Sequence, residues 1–275
     1  MHLKGMLGLG DNIYQRAFIN QLPRPLYLTT PWPELYQDQQ DIHFINPQTR
    51  LRTQKKNIER QPSYRWRTQA ASGVRVKYGK TGILHGMSEQ IGLKPEPLTL
   101  PDYGPSPVDG DYIIVRPVTL RTEWLAQSRN PLAEYVNEAA AALGRDYQVV
   151  SVADIVPNVE WPDGPLPKSD IEYLQGELDV SQLMALVQHA KAIVGGVGWL
   201  VPAAIAAGIP AWVVLGGHGA FNAPELITHP SQDCSRIGFA MPDNFCRCSD
   251  KRHQCNKTIS NHKAQFERWR HGVCI

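Results

Sequence analysis

The sequence predicts an α/β protein: two doubly wound domains facing each other, closed by a cysteine-rich tail. Three observations predict it. Residues 186–217 (LVQHAKAIVGGVGWLVPAAIAAGIPAWVVLGG) read as helix end, buried strand, glycine turn, apolar helix, strand and second glycine turn, which is a βαβ unit. An earlier glycine turn, Gly8-Leu9-Gly10, precedes Ile13, Ala17, Phe18 and Leu22 at helical spacing. Between the two, residues 95–110 hold Pro95, Pro97, Pro101, Gly104, Pro105 and Pro107, the composition of an ordered linker. The expected division is 1–108, 109–230 and a tail over 231–275.

The elements follow in order. A short strand from Met1 leads into the first glycine turn, and either Asp11 or Asn12 can cap the next helix. Residues 26–30 (LYLTT) are the next strand. Beyond the linker, 111–118 (DYIIVRPV) is an apolar strand that opens the second domain. Residues 131–143 form a helix with Asn130 as its cap, 148–152 a strand, and the proline-rich 160–168 a loop. A helix within 176–192 puts Leu183, Leu186 and Val187 on one face. Ala192-Ile193-Val194 is a strand covered on both sides. Gly195, Gly196 and Gly198 strip the following turn of side chains, and Pro202 suits the first turn of the helix behind it. Residues 211–215 are the last strand of the unit, followed by Gly216, Gly217, His218 and Gly219. A final helix over 261–271 carries Phe266 and Trp269 as apolar anchors.

Bare backbone N–H groups at a helix start are a ready site for phosphate, although glycine turns of this kind also occur where no phosphate binds. The two turns together resemble the GT-B glycosyltransferases of the heptosyltransferase group, glycosyltransferase family nine. Those enzymes open with a strand, a G-x-G-D loop and a helix. Near their end they carry V-G-x-D-S/T-G-x-x-H, a helix and A-A-x-G-x-P. Val194-Gly195 and Ala206-Ala207-Gly208-Ile209-Pro210 match the latter without a gap, and Gly10-Asp11 matches the former. Two departures stand out: Val197 replaces the family's acid and Pro202 its histidine. The resemblance covers about half the chain in three patches. It implies a GT-B-like pair of facing Rossmann-like domains and an inverting transfer from a nucleotide-diphosphate sugar without an obligatory catalytic metal. Asp11 would be the catalytic base. Gly10, Arg116, Thr119, Arg121, Gly195, Gly196, Val197, Gly198, Trp199 and His218 would face the donor and its phosphates. Arg121 and His218 read equally well as exposed surface residues. For Asp11 the local pattern alone favours an N-cap. Asp109-Gly110-Asp111 is a D-x-D only formally; it reads as a turn.

The chain has 275 residues, a net charge of +2 and a hydrophobic share of 42%, ordinary for a globular protein. No run of about 18 apolar residues exists to span a membrane, and no signal peptide is evident, so a cytoplasmic location is expected, the host's if the gene is a phage's. The charge is unevenly placed. Residues 49–80 hold ten basic side chains and one acid, Glu59, whereas the remainder has 18 basic and 25 acidic residues. Tyr64, Trp66 and Tyr78 are interleaved. Such a segment suits a polyanion. Arg52, Lys55, Lys56, Tyr64, Arg65, Trp66, Arg67 and Lys77, with Asn12, are therefore the candidate acceptor residues. DNA carrying a hydroxymethylated pyrimidine is the first acceptor to consider, as in a DNA-modifying enzyme of phage type. A lipopolysaccharide or other saccharide is the alternative, and a non-catalytic nucleotide- or nucleic-acid-binding protein the second. A solvated charged loop is the plain structural reading.

All five cysteines lie in the last quarter. Cys234, Cys246, Cys248 and Cys255 could hold a structural zinc, with His253, His262 and His271 nearby. Unlinked buried thiols and disulfides are the other readings.

Overall fold

A computed structural model of the chain describes residues 1–61, 64, 66–67 and 73–275. The first half runs β1 (His2–Lys4), α1 (Leu9–Ile19), β2 (Leu26–Thr29), a 3-10 turn (Pro33–Tyr36), β3 (Ile42–Ile45), α2 (Arg52–Arg60), β4 (Val74–Arg75) and α3 (Ile83–Ile91). Its sheet has the order β3-β2-β1-β4 and is parallel throughout. The second half runs β5 (Tyr112–Val115), β6 (Thr119–Arg121), α4 (Ala133–Leu143), β7 (Gln148–Val152), β8 (Glu160–Pro162), β9 (Ile171–Tyr173), α5 (Val180–His189), β10 (Ala192–Gly196), α6 (Leu200–Ala207), β11 (Ala211–Val214), the short α7 (Gly219–Asn222) and α8 (Pro224–Ile227), β12 (Ile237–Ala240) and α9 (His262–Gly272). Its sheet, β12-β11-β10-β5-β7-β9, is also wholly parallel. β6 and β8 form a separate antiparallel ribbon.

Local chemistry explains these elements. β5 (YIIV) and β11 (AWVV) are buried at every position, as strands covered by helices on both faces must be. α5 starts with a full capping box: Gln182 N–H donates to Asp179 Oδ1 at 2.8 Å, and Asp179 N–H to Gln182 Oε1 at 3.0 Å. Gly208, left-handed at φ 67°, ends α6. An apolar core runs from Ile13 and Phe18 on α1 to Leu200 and Val201 on α6 and Ile193 on β10, so the halves are packed together. A second core lies on the other face of the second sheet, where Val136 and Ala140 of α4 meet Trp212 and Phe266.

Several expectations change. α1 is capped by Gly8, which places Asp11 in the first turn. α4 begins after Leu132; Asn130 Nδ2 instead donates to the Thr119 carbonyl and to Asp163 Oδ2, both at 2.9 Å. The proline-rich loop contains β8, because Glu160, Trp161 and Pro162 pair with Arg121, Leu120 and Thr119. The helices and strands of 176–215 lie where the apolar pattern puts them. β12 has no forecast in the sequence. α9 packs on β12 and α4 within its own half; Phe266 and Trp269 both pack on the Trp212 ring. Near the carboxyl end it is residues 224–232 that reach the first half: the Tyr14 hydroxyl donates to the Ile227 carbonyl, and Gln232 bonds the backbone of Glu96 and Leu98.

Candidate active site

The two glycine turns meet. A Cβ on Gly10 would lie 3.0 Å from Trp199 Cα and 3.5 Å from Pro202 Cγ, so only glycine lets α1 approach α6 this closely. The loop before α1 is held by a buried polar network. Asn12 Nδ2 donates to the Met6 and Gly8 carbonyls at 2.8 Å, and Asn12 Oδ1 accepts from Thr30 Oγ1 at 2.7 Å and from Gln15 Nε2 at 3.0 Å. Gln15 Oε1 accepts the Met6 N–H, and the Leu7 carbonyl accepts from both Trp32 Nε1 and Gln54 Nε2. Asn12 is 0% exposed. It therefore cannot touch an acceptor, and its part is to fix the loop.

This network presents Asp11. Burial pushes its carboxyl above the usual carboxylate range, opposed by the Gly8 N–H and the Arg129 guanidinium. Tyr78 stands near it, raised to about 12 by burial and by Asp11, and its hydroxyl donates to the Phe221 carbonyl. A carboxylate made more basic by its surroundings suits proton abstraction.

Across from Asp11 lie the glycines of the second turn, which differ in purpose. A Cβ on Gly195 would strike Leu200 Cδ2 at 2.7 Å and one on Gly196 would meet Pro131 Cδ at 3.1 Å; both are small for packing. At Gly198 the added atom meets only Arg129 Nη2, at 3.8 Å. The protein leaves that position open. Arg129 Nη2 donates to the Val197 carbonyl, which ties this arginine to the turn where the family acid is missing. Its Nε is buried with no acceptor among the described residues. His218 is buried and left-handed at φ 57°, and its Nδ1 is likewise without a partner. Burial lowers its basicity, with Arg129 and Lys251 adding to the effect and the Asp250 backbone opposing it. Two unsatisfied buried nitrogens in one electrostatic neighbourhood call for an anionic or hydrogen-bonding ligand. Arg129 had no signal in the sequence, because Ser-Arg-Asn-Pro reads as an ordinary helix entrance.

Arg116 sits at the end of β5 but is fully engaged inside the protein. Its Nη2 donates to Glu160 Oε1 at 2.9 Å and Thr119 Oγ1 at 3.1 Å, and its Nη1 to the Pro117 and Val152 carbonyls. Thr119 Oγ1 also donates to Glu160, at 2.8 Å. Arg121 is half-buried, close enough to Arg129 to lower that arginine's basicity, after burial itself.

The basic segment splits. On α2, Arg52, Lys56 and Arg60 recur every fourth residue and face the second half. Arg52 Nη1 meets Asp154 Oδ2 at 2.8 Å, Lys56 Nζ meets the Gly176 carbonyl at 2.8 Å, and Arg60 bonds the Gly176 and Leu178 carbonyls. Lys55, Arg67 and Lys77 are exposed; Lys55 borders a cavity of about 320 Å³. Arg67 lies over the Tyr27 ring, 5.8 Å from its centroid. Tyr64 packs edge-on against Phe44, and Trp66 is half-buried. Arg65 lies outside the described residues. A larger cavity, about 680 Å³, opens at the carboxyl ends of the first sheet's strands. It is lined by Lys4, Thr29, Asn46, Gln48 and Arg75 among others, none of them on the expected acceptor roster.

In the tail, Cys246, Cys248, His253 and Cys255 converge, with their ligand atoms all within 4.8 Å of one another. Cys248 and Cys255 Sγ are 3.6 Å apart, and Cys246 Sγ is 3.5 Å from His253 Nδ1. A tetrahedral site with bonds of about 2.3 Å has edges of about 3.8 Å, so the four residues fit a metal. Cys234 is not among them; it packs against the apolar core, where burial raises its thiol, and His253 takes the fourth place. The knuckle docks on the site wall. Gly219 and Ala220 N–H donate to the Cys246 and Cys248 carbonyls, and Ser128 bonds the backbone of Asp250 and Lys251.

No protein-family model matches the chain, and no curated protein matches it by sequence. Its fold, however, is that of known glycosyltransferases. TibC, described as a dodecameric iron-containing heptosyltransferase in complex with ADP-D-β-D-heptose, superposes with a TM-score of 0.62 at 17% identity, over 99% of this chain and 76% of that one; TibC comes from enterotoxigenic E. coli H10407. E. coli ADP-heptose LPS heptosyltransferase II gives 0.56 at 13% identity, covering 99% and 98%. The family 9 glycosyltransferase of Veillonella parvula gives 0.59 at 11%, covering 99% and 97%. The chain has this GT-B-like fold, with a Cys-rich cluster near its carboxyl end. Among the described residues no helix is long and apolar enough to cross a membrane.

Proposed function

We propose that the protein is a glycosyltransferase of heptosyltransferase type, moving a sugar from a nucleotide-diphosphate donor to a saccharide hydroxyl. The observation that carries this reading is the placement of Asp11 opposite the Gly196–Trp199 turn, with Arg129 between them. The donor diphosphate lies over Gly198, against the amides at the start of α6, and takes the free Nε–H of Arg129, with His218 beside it. The acceptor lies in the cavity at the end of the first sheet. Asp11 takes the acceptor's hydroxyl proton as its oxygen attacks the anomeric carbon. The bond from that carbon to the diphosphate oxygen breaks, and its electron pair leaves with the diphosphate. Arg129 stabilises that charge. Attack opposite the leaving group inverts the centre.

The saccharide acceptor stands ahead of DNA. The fold neighbours include an LPS heptosyltransferase, and three of the ten basic residues of 49–80 are committed to the second half of the protein. The Cys3His knuckle would hold one structural metal, zinc or, as TibC's description suggests, iron. When bound, the metal fixes the backbone behind His218 and Ser128; Asp11 and Arg129 carry the chemistry.

The test is incubation of the purified protein with nucleotide-diphosphate sugars, ADP-heptose first, and core oligosaccharide or DNA as acceptor, followed by mass spectrometry. Transfer to the oligosaccharide is expected. Absence of transfer and hydrolysis across the whole panel would overturn the reading.

A further inference from the structure

We propose that Glu160 is a positioning residue for the transfer reaction, setting the register between the Asp11 loop and the donor half. The inference rests on the function proposed above for its kinetic consequence, but its geometry is independent of it. Glu160 is 3% exposed and lies on the β6–β8 ribbon. Its Oε1 accepts from Arg116 Nη2 at 2.9 Å and Thr119 Oγ1 at 2.8 Å, both at the carboxyl end of β5 and the ribbon that follows. Its Oε2 faces Arg52 Nη2 at 3.7 Å, on α2 in the other half. One buried carboxylate thus answers to cations from both halves.

α2 transmits the contact. Its two faces have different tasks. Arg52, Lys56 and Arg60 grip Asp154, Gly176 and Leu178 of the second half. The Arg52 N–H at the helix start, which has no side-chain cap of its own, donates to Glu123 Oε1 at 2.7 Å. The opposite face is buried in the first half: Gln54 Nε2 donates to the Leu7 carbonyl and Asn57 Nδ2 to the Pro31 carbonyl, both at 2.8 Å. Leu7 precedes Gly8, whose N–H meets Asp11. The path from the donor half to the base is therefore Glu160, Arg52, Gln54, Leu7, Gly8, Asp11. A buried acid left with unbalanced partners is costly, so the pairing sets the position of α2 firmly.

The test uses hydrogen exchange on the full chain, wild type against Glu160→Gln. Faster exchange is expected in the ribbon, in α2 and in residues 5–8, with 112–115 unchanged. Arg52→Gln, which leaves the ribbon's own acid in place, is expected to loosen α2 and residues 5–8 likewise, and it serves if Glu160→Gln does not fold. Change confined to 119–121 and 160–162 would overturn the proposal. With an active donor, kcat should fall about 10- to 100-fold while donor KM stays nearly constant. The Arg52→Gln/Glu160→Gln double variant should lose no more than either single one. A rise in KM alone would make Glu160 a donor-binding group and refute the positioning role. If wild type transfers no sugar, the proposed function fails, and the exchange pattern alone still decides whether Glu160 couples the halves.

Discussion

Replacing Asp11 by Asn separates chemistry from folding. Asn keeps an oxygen to accept the Gly8 N–H but without charge, which weakens a charge-assisted bond to an ordinary one, by about 1 kcal/mol. The change also removes the cost of holding a carboxylate charge in a buried place. The two effects oppose each other, so stability near neutral pH should move by no more than about 1 kcal/mol. The sign with pH is fixed. The folded carboxyl titrates above its unfolded value, so wild type has its full stability below the unfolded pKa and loses some as pH rises through the folded one. The Asn variant has no such loss and should gain on wild type as pH increases. Turnover should fall by about 10² to 10⁴, equivalent to about 3–5 kcal/mol of activation free energy. Thermal melts at several pH values, beside initial rates with a working donor, supply both numbers. Turnover within a few-fold of wild type would refute the base assignment and leave Asp11 a structural residue of the first helical turn.

The second turn gives a paired test: Gly198→Val should leave the melting temperature nearly unchanged and abolish nucleotide binding by calorimetry, whereas Gly195→Ala, whose Cβ would meet Leu200 Cδ2 at 2.7 Å, should cost about 1–3 kcal/mol of stability; unchanged binding in the first sinks the phosphate site. Chelation, or Cys255→Ser, should release one metal per chain by elemental analysis and lower the melting temperature; a native protein free of zinc and iron that melts identically with chelator argues for plain thiols. Glu34 is 2% exposed and burial raises it to about 7, so stability from its protonated form is complete below its unfolded pKa and is lost as pH approaches and passes 7. Glu34→Gln should therefore stabilise the protein at pH 8 and not at pH 4, and equal gains at both would contradict this.

Much of the fold was legible because parallel strands buried on both faces read as unbroken apolar runs, as in Ile113-Ile114-Val115 and Ala211–Val214. Glycine turns announce themselves by what they lack. What the sequence hid depends on distant partners. Arg52 and Asp154 are 102 residues apart, so a cationic stripe that grips the other half looks the same in sequence as one facing a polyanion. Asp11 stood out through its turn, whereas Arg129 becomes visible only when Val197 and His218 are brought beside it. His253, and not Cys234, joins the three cysteines because the chain turns back on itself at 250–255, and no spacing rule distinguishes it from its neighbours His262 and His271. Strand β8 was masked by the prolines in and after it; the one inside, Pro162, is its last residue, where a two-stranded edge tolerates it.

The packing of α6 bears on how such a protein can move and how it can be taken apart. Residues 200–205 of that helix are all buried, pressed between α1 and their own sheet. A hinge that swung the halves wide would bring this greasy rod into water on every cycle. Small sliding shifts of α1 along α6, shear in character, would keep it covered. By the same logic, the carboxyl-terminal half expressed alone would carry an orphaned sticky flank. It should precipitate, or recruit detergent, wherever the first half is not supplied in trans to sheathe it.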